Sequence, residues 1–295
     1  MRFVSVCNSD IGTKKQKNQD ALLLLHARQD LDDDMVLAVI CDGVGGLARG
    51  EWASAVVAKA FRQWFYERSG MLGQQPEPEQ TIFNDWDQLI QMLHNHMKRV
   101  AEREGCRLGT TVEALLLMQG RYYICHVGDC RTYLVGQKIR QLTVDHTVVQ
   151  QEIMAGRLTA DQARRDARQS LLWQCVGAGK KVVPDFLTGD VQKGQMFLLC
   201  CDGFRRRITE QEMMRLGMRP GLKPKKMQGI LDNITDVCKK RGEKDNISSI
   251  LVSERSPGLL LRKGLFRSME SDNPHRNGIT KDILIEHSQT VGTDP

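Results

Sequence analysis

The sequence has no apolar run that could cross a bilayer. The longest, Met35 to Cys41 and Met196 to Cys201, fall far short of the roughly 20 residues a spanning helix needs. It also lacks the apolar stretch of a secretory leader, because a strand-like segment, Phe3 to Cys7, begins almost at once. The nine cysteines are odd in number and scattered, and no C-x-x-C pair occurs. That argues against a disulfide framework or a thiolate zinc site and suits reduced thiols in a cytoplasm. The net charge of +6 is too small and too dispersed for a nucleic-acid binder, though it is compatible with acidic, phosphorylated substrates. No internal repeat is present.

What the chain does have is a series of short acidic clusters: Asn18-Gln19-Asp20, Asp42-Gly43-Val44-Gly45-Gly46, Val127-Gly128-Asp129-Cys130-Arg131, Cys201-Asp202-Gly203 and Lys244-Asp245-Asn246. Each carries an Asp at or near the end of an apolar run, where a strand would deliver a carboxylate to a sheet edge. A set made of carboxylates, without clustered His or Cys, suits hard cations such as Mg²⁺ or Mn²⁺. The chain reads as a metallohydrolase.

Alternation and β-branched content predict strands at Phe3–Cys7, Leu22–His26, Val36–Cys41, Val112–Met118, Tyr122–Val127, Thr132–Val135, Phe186–Asp190, Met196–Cys200 and Ile247–Val252. Three apolar stripes at helical spacing run through Ala53–Phe65, Trp86–Val100 and Met227–Cys238. A surface loop is expected over Ser69–Thr81, where Gly70, Gly73, Pro76 and Pro78 cluster. Helices between runs of strands give an α+β class, with two antiparallel sheets flanked by helices. The periodicity stops after Ser256-Pro257, so the layout is a catalytic domain over 1–255 and a tail over 256–295, outside the core. That tail opens with an apolar, basic patch, Leu259 to Arg267, and carries Thr280, Thr290 and Thr293.

Asp-Gly and Asp-Asn are also ordinary turn sequences, so each cluster alone is a weak signal. Their order is not. Gly12-x-x-Lys15-x-x-Asn18-Gln19-Asp20, Asp42-Gly43-x-Gly45-Gly46, Gly109-Thr110-Thr111, Val127-Gly128-Asp129-x-Arg131, Leu142-Thr143-x-Asp145-His146, Asp202-Gly203 and Asp245-Asn246-Ile247 together resemble the metal-dependent protein phosphatases of type 2C, bacterial branch. The resemblance implies a four-layer α/β/β/α sandwich with two ions in a cleft at one end of the sheets. Asp42 matches the carboxylate that bridges both ions, Gly43 the carbonyl ligand, and Asp202 and Asp245 the other ligands of the first ion. Asp20 matches the acid that orients water, and Asp129 the ligand of a third, weaker ion. The segment Val148–Gly179 corresponds to a flap beside the cleft, with Gly156-Arg157-Leu158-Thr159 resembling its turn.

Several positions depart from the pattern. Lys15 stands where the family usually has the Arg that grips phosphate, which keeps the charge but loses the two-pronged donor geometry. Val44 stands where many eukaryotic members have a proton-donating His, and His146 reads as a structural histidine. Gln19 replaces a carboxylate, as is common among bacterial relatives. Arg205-Arg206-Arg207 reads as a solvated helix entry, with the alternative that one of the three grips phosphate in place of the missing Arg. Cys130 and Cys201 read as small core residues, with an oxidisable thiol as the alternative. The function implied is hydrolysis of phosphoserine and phosphothreonine in proteins, opposing a Ser/Thr kinase. Two alternatives stand beside it: a weak or inactive phosphatase that binds phosphoproteins as a regulator, and a phosphatase of small-molecule phosphates.

Overall fold

Leu22 to Leu25 and Val36 to Ile40 are apolar at every position. Because a strand sends successive side chains to opposite faces, such a run is stable only when both faces are covered. The computed structural model describes residues 1–30, 33–44, 49–163, 165–255 and 278–287, and it covers both. In chain order the strands are β1 (Phe3–Asp10), β2 (Asp20–Asp30), β3 (Asp33–Asp42), β4 (Val112–Met118), β5 (Arg121–Val127), β6 (Arg131–Val135), β7 (Ile139–Gln141), β8 (Asp185–Asp190), β9 (Met196–Cys200), β10 (Ile247–Glu254) and β11 (Ile279–Ile285). The helices are α1 (Gly50–Leu72), α2 (Glu79–Glu104), α3 (Val148–Met154), α4 (Ala160–Ala163), α5 (Asp202–Arg205), α6 (Glu210–Arg215) and α7 (Pro224–Lys240).

Two antiparallel sheets result, one ordered β1-β10-β9-β6-β7 and the other β11-β2-β3-β4-β5-β8. Leu22, Leu24, Val36, Ala38 and Ile40 pack with Leu198, Leu251 and their neighbours in one continuous core. Ala21, Leu23, Leu25, Leu37 and Val39, alternating with them, pack against α1 and α2. There the edge of Trp86 meets Phe61 and Trp64, at centroid separations of 5.8 and 5.3 Å. On the five-stranded sheet, Met227, Leu231, Ile234 and Cys238 of α7 close the opposite side. The expected α+β four-layer sandwich is the observed one.

Two strands go beyond the sequence reading. β7 is only three residues long. β11 corrects the expectation for the tail: Ile279–Ile285 lies along β2, with Ile283 opposite Leu24 and Ile285 opposite Leu22. Side-chain clasps hold this strand in place. Arg62 and Tyr66 both bind Asp282, Lys59 pairs with Glu286 at 2.8 Å, and Lys281 Nζ donates to the Ser5 carbonyl at 2.9 Å. Part of the tail therefore belongs to the sandwich. Residues 256–277 and 288–295, including the Leu259–Arg267 patch, Thr290 and Thr293, lie outside the described residues, whereas Thr280 sits on β11. The loop between the first two helices is shorter than expected, since α1 continues to Leu72 and α2 starts at Glu79.

Truncation after Arg255 strips the pairing partner from β2 and exposes apolar surface under Ile283 and Ile285. Urea unfolding of the truncated chain is expected to show a loss on the order of 2–4 kcal/mol. An unchanged midpoint would show that β11 adds nothing to the sandwich.

Candidate metal centre

The strands bring five aspartates to one end of the sandwich. Asp20 opens β2 directly opposite Asp42, which closes β3. Asp129 follows β5, Asp202 follows β9, and Asp245 precedes β10. Asp42, Asp129, Asp202 and Asp245 line a cavity of about 240 Å³ together with Lys15 and Arg206. Asp20 is almost fully buried. Single ligand atoms of Asp20, Asp42 and Cys201 lie within 4.8 Å of one another.

Close backbone approach fixes these positions. A Cβ on Gly43 would lie 2.5 Å from the Gly50 backbone, and one on Gly203 would lie 2.1 Å from the Asn246 carbonyl oxygen, so neither site admits a side chain without displacing main chain. Asn246 staples the loop before β2 to the start of β10. Its Oδ1 accepts from Gln19 N at 3.0 Å, while its Nδ2 donates to the carbonyls of Ile11 at 3.0 Å and Lys17 at 3.2 Å. Thr111 Oγ1 accepts from Asp42 N at 2.9 Å. The sequence motifs contain Asn246 and Thr111, yet their roles depend on loops far apart in the chain.

The electrostatics of the site favour a bound cation. Burial, reinforced by Asp202 and Asp245, pushes the Asp20 carboxyl up to about 7. Burial and Asp202 likewise push Asp129 to about 7. Asp42 is raised well above its usual range by burial and then by Asp20, Asp202, Asp129 and Asp245. Among the described residues, neither oxygen of Asp20 has a hydrogen-bond partner, and nor does Asp202 Oδ1. Buried carboxylate oxygens without donors, crowded by their own kind, need positive charge. Oxygen donors of this type fit Mg²⁺ or Mn²⁺. Cys201, beside them, is engaged by the backbone. Burial holds its thiol well above the usual range, and its Sγ donates to the Asn246 carbonyl at 3.4 Å and accepts from Ser248 N at 3.1 Å. Cys130 is buried against Thr111 Oγ1 at 3.2 Å, and its pKa is likewise raised by burial. Both are core thiols.

Side-chain cations offset part of the charge, Arg205 among them at 3.7 Å from Asp129. Lys15 Nζ pairs with Asp245 at 2.6 Å, and although burial opposes it, this partner together with Asp42 and Asp202 raises the Lys15 pKa. Arg206 pairs with Asp202, approaches Asp245 at 3.7 Å and donates to Ser170 Oγ at 2.6 Å. The three consecutive arginines are thus not a solvated helix entry. Arg205 is largely buried, donating to the Asp129 carbonyl at 2.8 Å and pairing with Asp145 at 3.1 Å. Arg207 reaches Glu243 at 3.3 Å.

The remaining positions also resolve. Val44 lines the cavity. His146 is buried and pushed down to about 4, first by burial and then by His126. Its Nδ1 accepts from Gly128 N at 3.1 Å and its Nε2 faces Asp185 at 3.1 Å. That is the structural role its motif suggested. Ser170 and Leu172, from the segment after α4, complete the cavity wall. Gly45 and Gly46 lie outside the described residues.

The chain is also similar to known proteins. Residues 12–251 match the family model described as protein phosphatase 2C. The serine/threonine phosphatase stp of Listeria innocua is 29% identical over 236 residues, which is 79% of this chain and 88% of that protein. The serine/threonine phosphatase of S. agalactiae superposes with a TM-score of 0.73 at 22% identity, covering 86% of this chain and 100% of that one. The catalytic domain of the phosphatase PstP in complex with two manganese ions gives 0.68 at 22% identity, covering 86% and 99%.

Two stability measurements probe the centre without any turnover. Asp20 has a folded pKa of about 7 against an ordinary value of 3.8. Its contribution to stability is therefore present in full below about pH 4 and lost as pH rises through about 7. In chelator, Asp20→Asn is expected to be the more stable protein at pH 8, by up to a value on the order of 4 kcal/mol, with the difference shrinking toward pH 4. Thermal melts across that range check the trend, and a pH-independent difference contradicts it. For Arg206→Ala, the guanidinium that shares Asp202 and Asp245 with an incoming ion is gone. Calorimetric titration with Mn²⁺ is expected to show about tenfold tighter binding, alongside a lower melting temperature in chelator.

Proposed function

The chain belongs to the protein phosphatase 2C family, and from that membership we propose that it hydrolyses phosphoserine and phosphothreonine in proteins with two bound Mg²⁺ or Mn²⁺ ions. The observation that carries this reading is the convergence of Asp42, Asp129, Asp202 and Asp245 with Lys15 and Arg206 on one cavity. Carboxylates alone would hold ions. Carboxylates interleaved with cationic donors suit ions and a phosphate together.

Asp42, the Gly43 carbonyl, Asp202 and Asp245 are the ligands for the ions, with Asp129 beside them. The manganese pair in PstP supports the count of two. When bound, the ions activate water and neutralise charge on the phosphoryl oxygens. Lys15 supplies a point charge to the phosphate, and Arg206 a planar pair of N–H donors on the other side of Asp245. The lysine at position 15 is therefore not the site's only phosphate grip, and this favours turnover over a purely binding role. Asp20, whose oxygens have no partner among the described residues, accepts hydrogen bonds from water in the site and orients it. Val44 has no proton to give, and both ring nitrogens of His146 are engaged. Neither residue protonates the leaving oxygen.

The setting follows from the chemistry. Nine free cysteines, most of them buried, suit a reducing cytoplasm. Phosphoserine and phosphothreonine in proteins require a kinase that installs them, and this enzyme opposes it. Among the described residues, no helix is long and apolar enough to cross a membrane.

Initial rates on a phosphothreonine peptide test the reading. Hydrolysis is expected with Mn²⁺, to vanish in chelator, and to fall by more than about a hundredfold in Asp42→Asn and Asp202→Asn. Near-normal turnover by either variant at saturating Mn²⁺ would overturn the ligand assignment. Lys15→Ala is expected to raise the KM for peptide several-fold.

A further inference from the structure

Beside the metal centre lies a second and larger cavity, of about 810 Å³. The two share Arg206 in their linings, so the larger one opens beyond the side chain that pairs with Asp202. Its walls carry five arginines, Arg131, Arg205, Arg206, Arg207 and Arg241, against three carboxylates, Asp145, Glu210 and Glu212. Guanidiniums outnumber carboxylates in the lining itself, although Arg205, Arg206 and Arg207 also meet Asp129, Asp202 and Glu243 behind it.

Asp145 serves two arginines at once. Arg131 grips it through both prongs at 2.7 and 2.8 Å, and Arg205 reaches it at 3.1 Å. Against the burial that would raise it, Arg205 and Arg131 hold the Asp145 carboxyl below its usual range. Arg205 also approaches the Asp129 carboxylate at 3.7 Å, and among the described residues its buried Nε has no hydrogen-bond partner. At the rim, Arg241 pairs with Glu212 at 2.7 Å and donates to the Arg207 carbonyl at 2.7 Å, which holds the two residues side by side. Arg207 reaches back to Glu243 at 3.3 Å while 47% of its side chain stays exposed. Guanidiniums fixed in place by neighbouring groups lose little freedom when an anion arrives, which is the condition for selective binding.

We propose that this cavity binds an anionic residue flanking the phosphorylated one in the substrate, so that the enzyme selects phosphosites in acidic surroundings. The inference rests on the phosphatase reading for its substrate. A carboxylate side chain and a second phosphate share the chemistry that the arginines recognise, and they differ in charge and in the number of acceptor oxygens.

Three phosphothreonine peptides of equal length, with neutral, aspartate-bearing or phosphoserine-bearing flanks, test it on the full chain loaded with Mn²⁺. The anionic flanks are expected to raise kcat/KM about tenfold over the neutral one, mainly through KM, and the two anionic arms tell carboxylate from phosphate. In Arg207→Gln and in the Arg207→Gln/Arg241→Gln pair, the ratio between peptides is expected to fall toward one. Equal kcat/KM for all three peptides overturns the subsite, and turnover of p-nitrophenyl phosphate in the same preparation shows that the hydrolytic site itself is intact. If no peptide is hydrolysed, the phosphatase reading fails, and fluorescence anisotropy of the labelled peptides still decides the subsite. Tighter binding of the anionic pair to the wild type upholds it, and equal affinities overturn it.

Discussion

Mutual repulsion among carboxylates at one end of a β-sandwich is the constraint on which the rest of this structure depends. Five aspartates meet there, and burial makes the charges of Asp20, Asp129 and Asp202 more costly than they would be in water. A fold can hold such a group only if its scaffold is rigid enough not to splay and if positive charge is supplied. The first condition is met by strands buried on both faces, which anchor Asp20 and Asp42 opposite each other through the longest ladder in the molecule. The second is met in part by Lys15 and Arg206 and otherwise by cations.

The loops that carry the remaining carboxylates have no strand to stiffen them, and contact between backbones takes its place. Gly203 lies so close to the Asn246 carbonyl that the backbones carrying Asp202 and Asp245 are in direct contact. Asn246 in turn ties them to the loop bearing Lys15, through three hydrogen bonds spanning more than two hundred residues of sequence. Each such bond contributes only about 1 kcal/mol. Their value to the site lies in precision, because a ligand displaced by an ångström no longer shares its ion.

How much of this could be read from the sequence follows from the range of each signal. Continuous apolar runs forced the central strands of both sheets, and the spacing of Trp86, Ile90, Leu93 and Met97 forced a helix, since both patterns are local. The carboxylates were legible as motifs because each stands at or just beyond one end of an apolar strand. β11 was not, for a physical reason: an edge strand buries only part of its surface, so Thr280, Lys281 and Asp282 break the apolar pattern. Its partners, Arg62, Tyr66 and Lys59, sit on a helix more than two hundred residues earlier. The match to the family model ends at residue 251, before this strand begins.

The arginine run makes the same point more sharply. Three like charges in a row suggest a solvated face. They sit, however, at the end of the short helix α5, where each residue turns roughly 100° from the last. Consecutive side chains must therefore leave in three directions. Arg205 goes inward to Asp145 and the Asp129 carbonyl, Arg206 goes across the cavity mouth to Asp202, and Arg207 goes outward to Glu243. Composition assigns the three a single role, whereas helical geometry gives each its own. The middle one lines both cavities and pairs with Asp202 and Asp245, so a single guanidinium joins the carboxylate cluster to the arginine-lined space beside it.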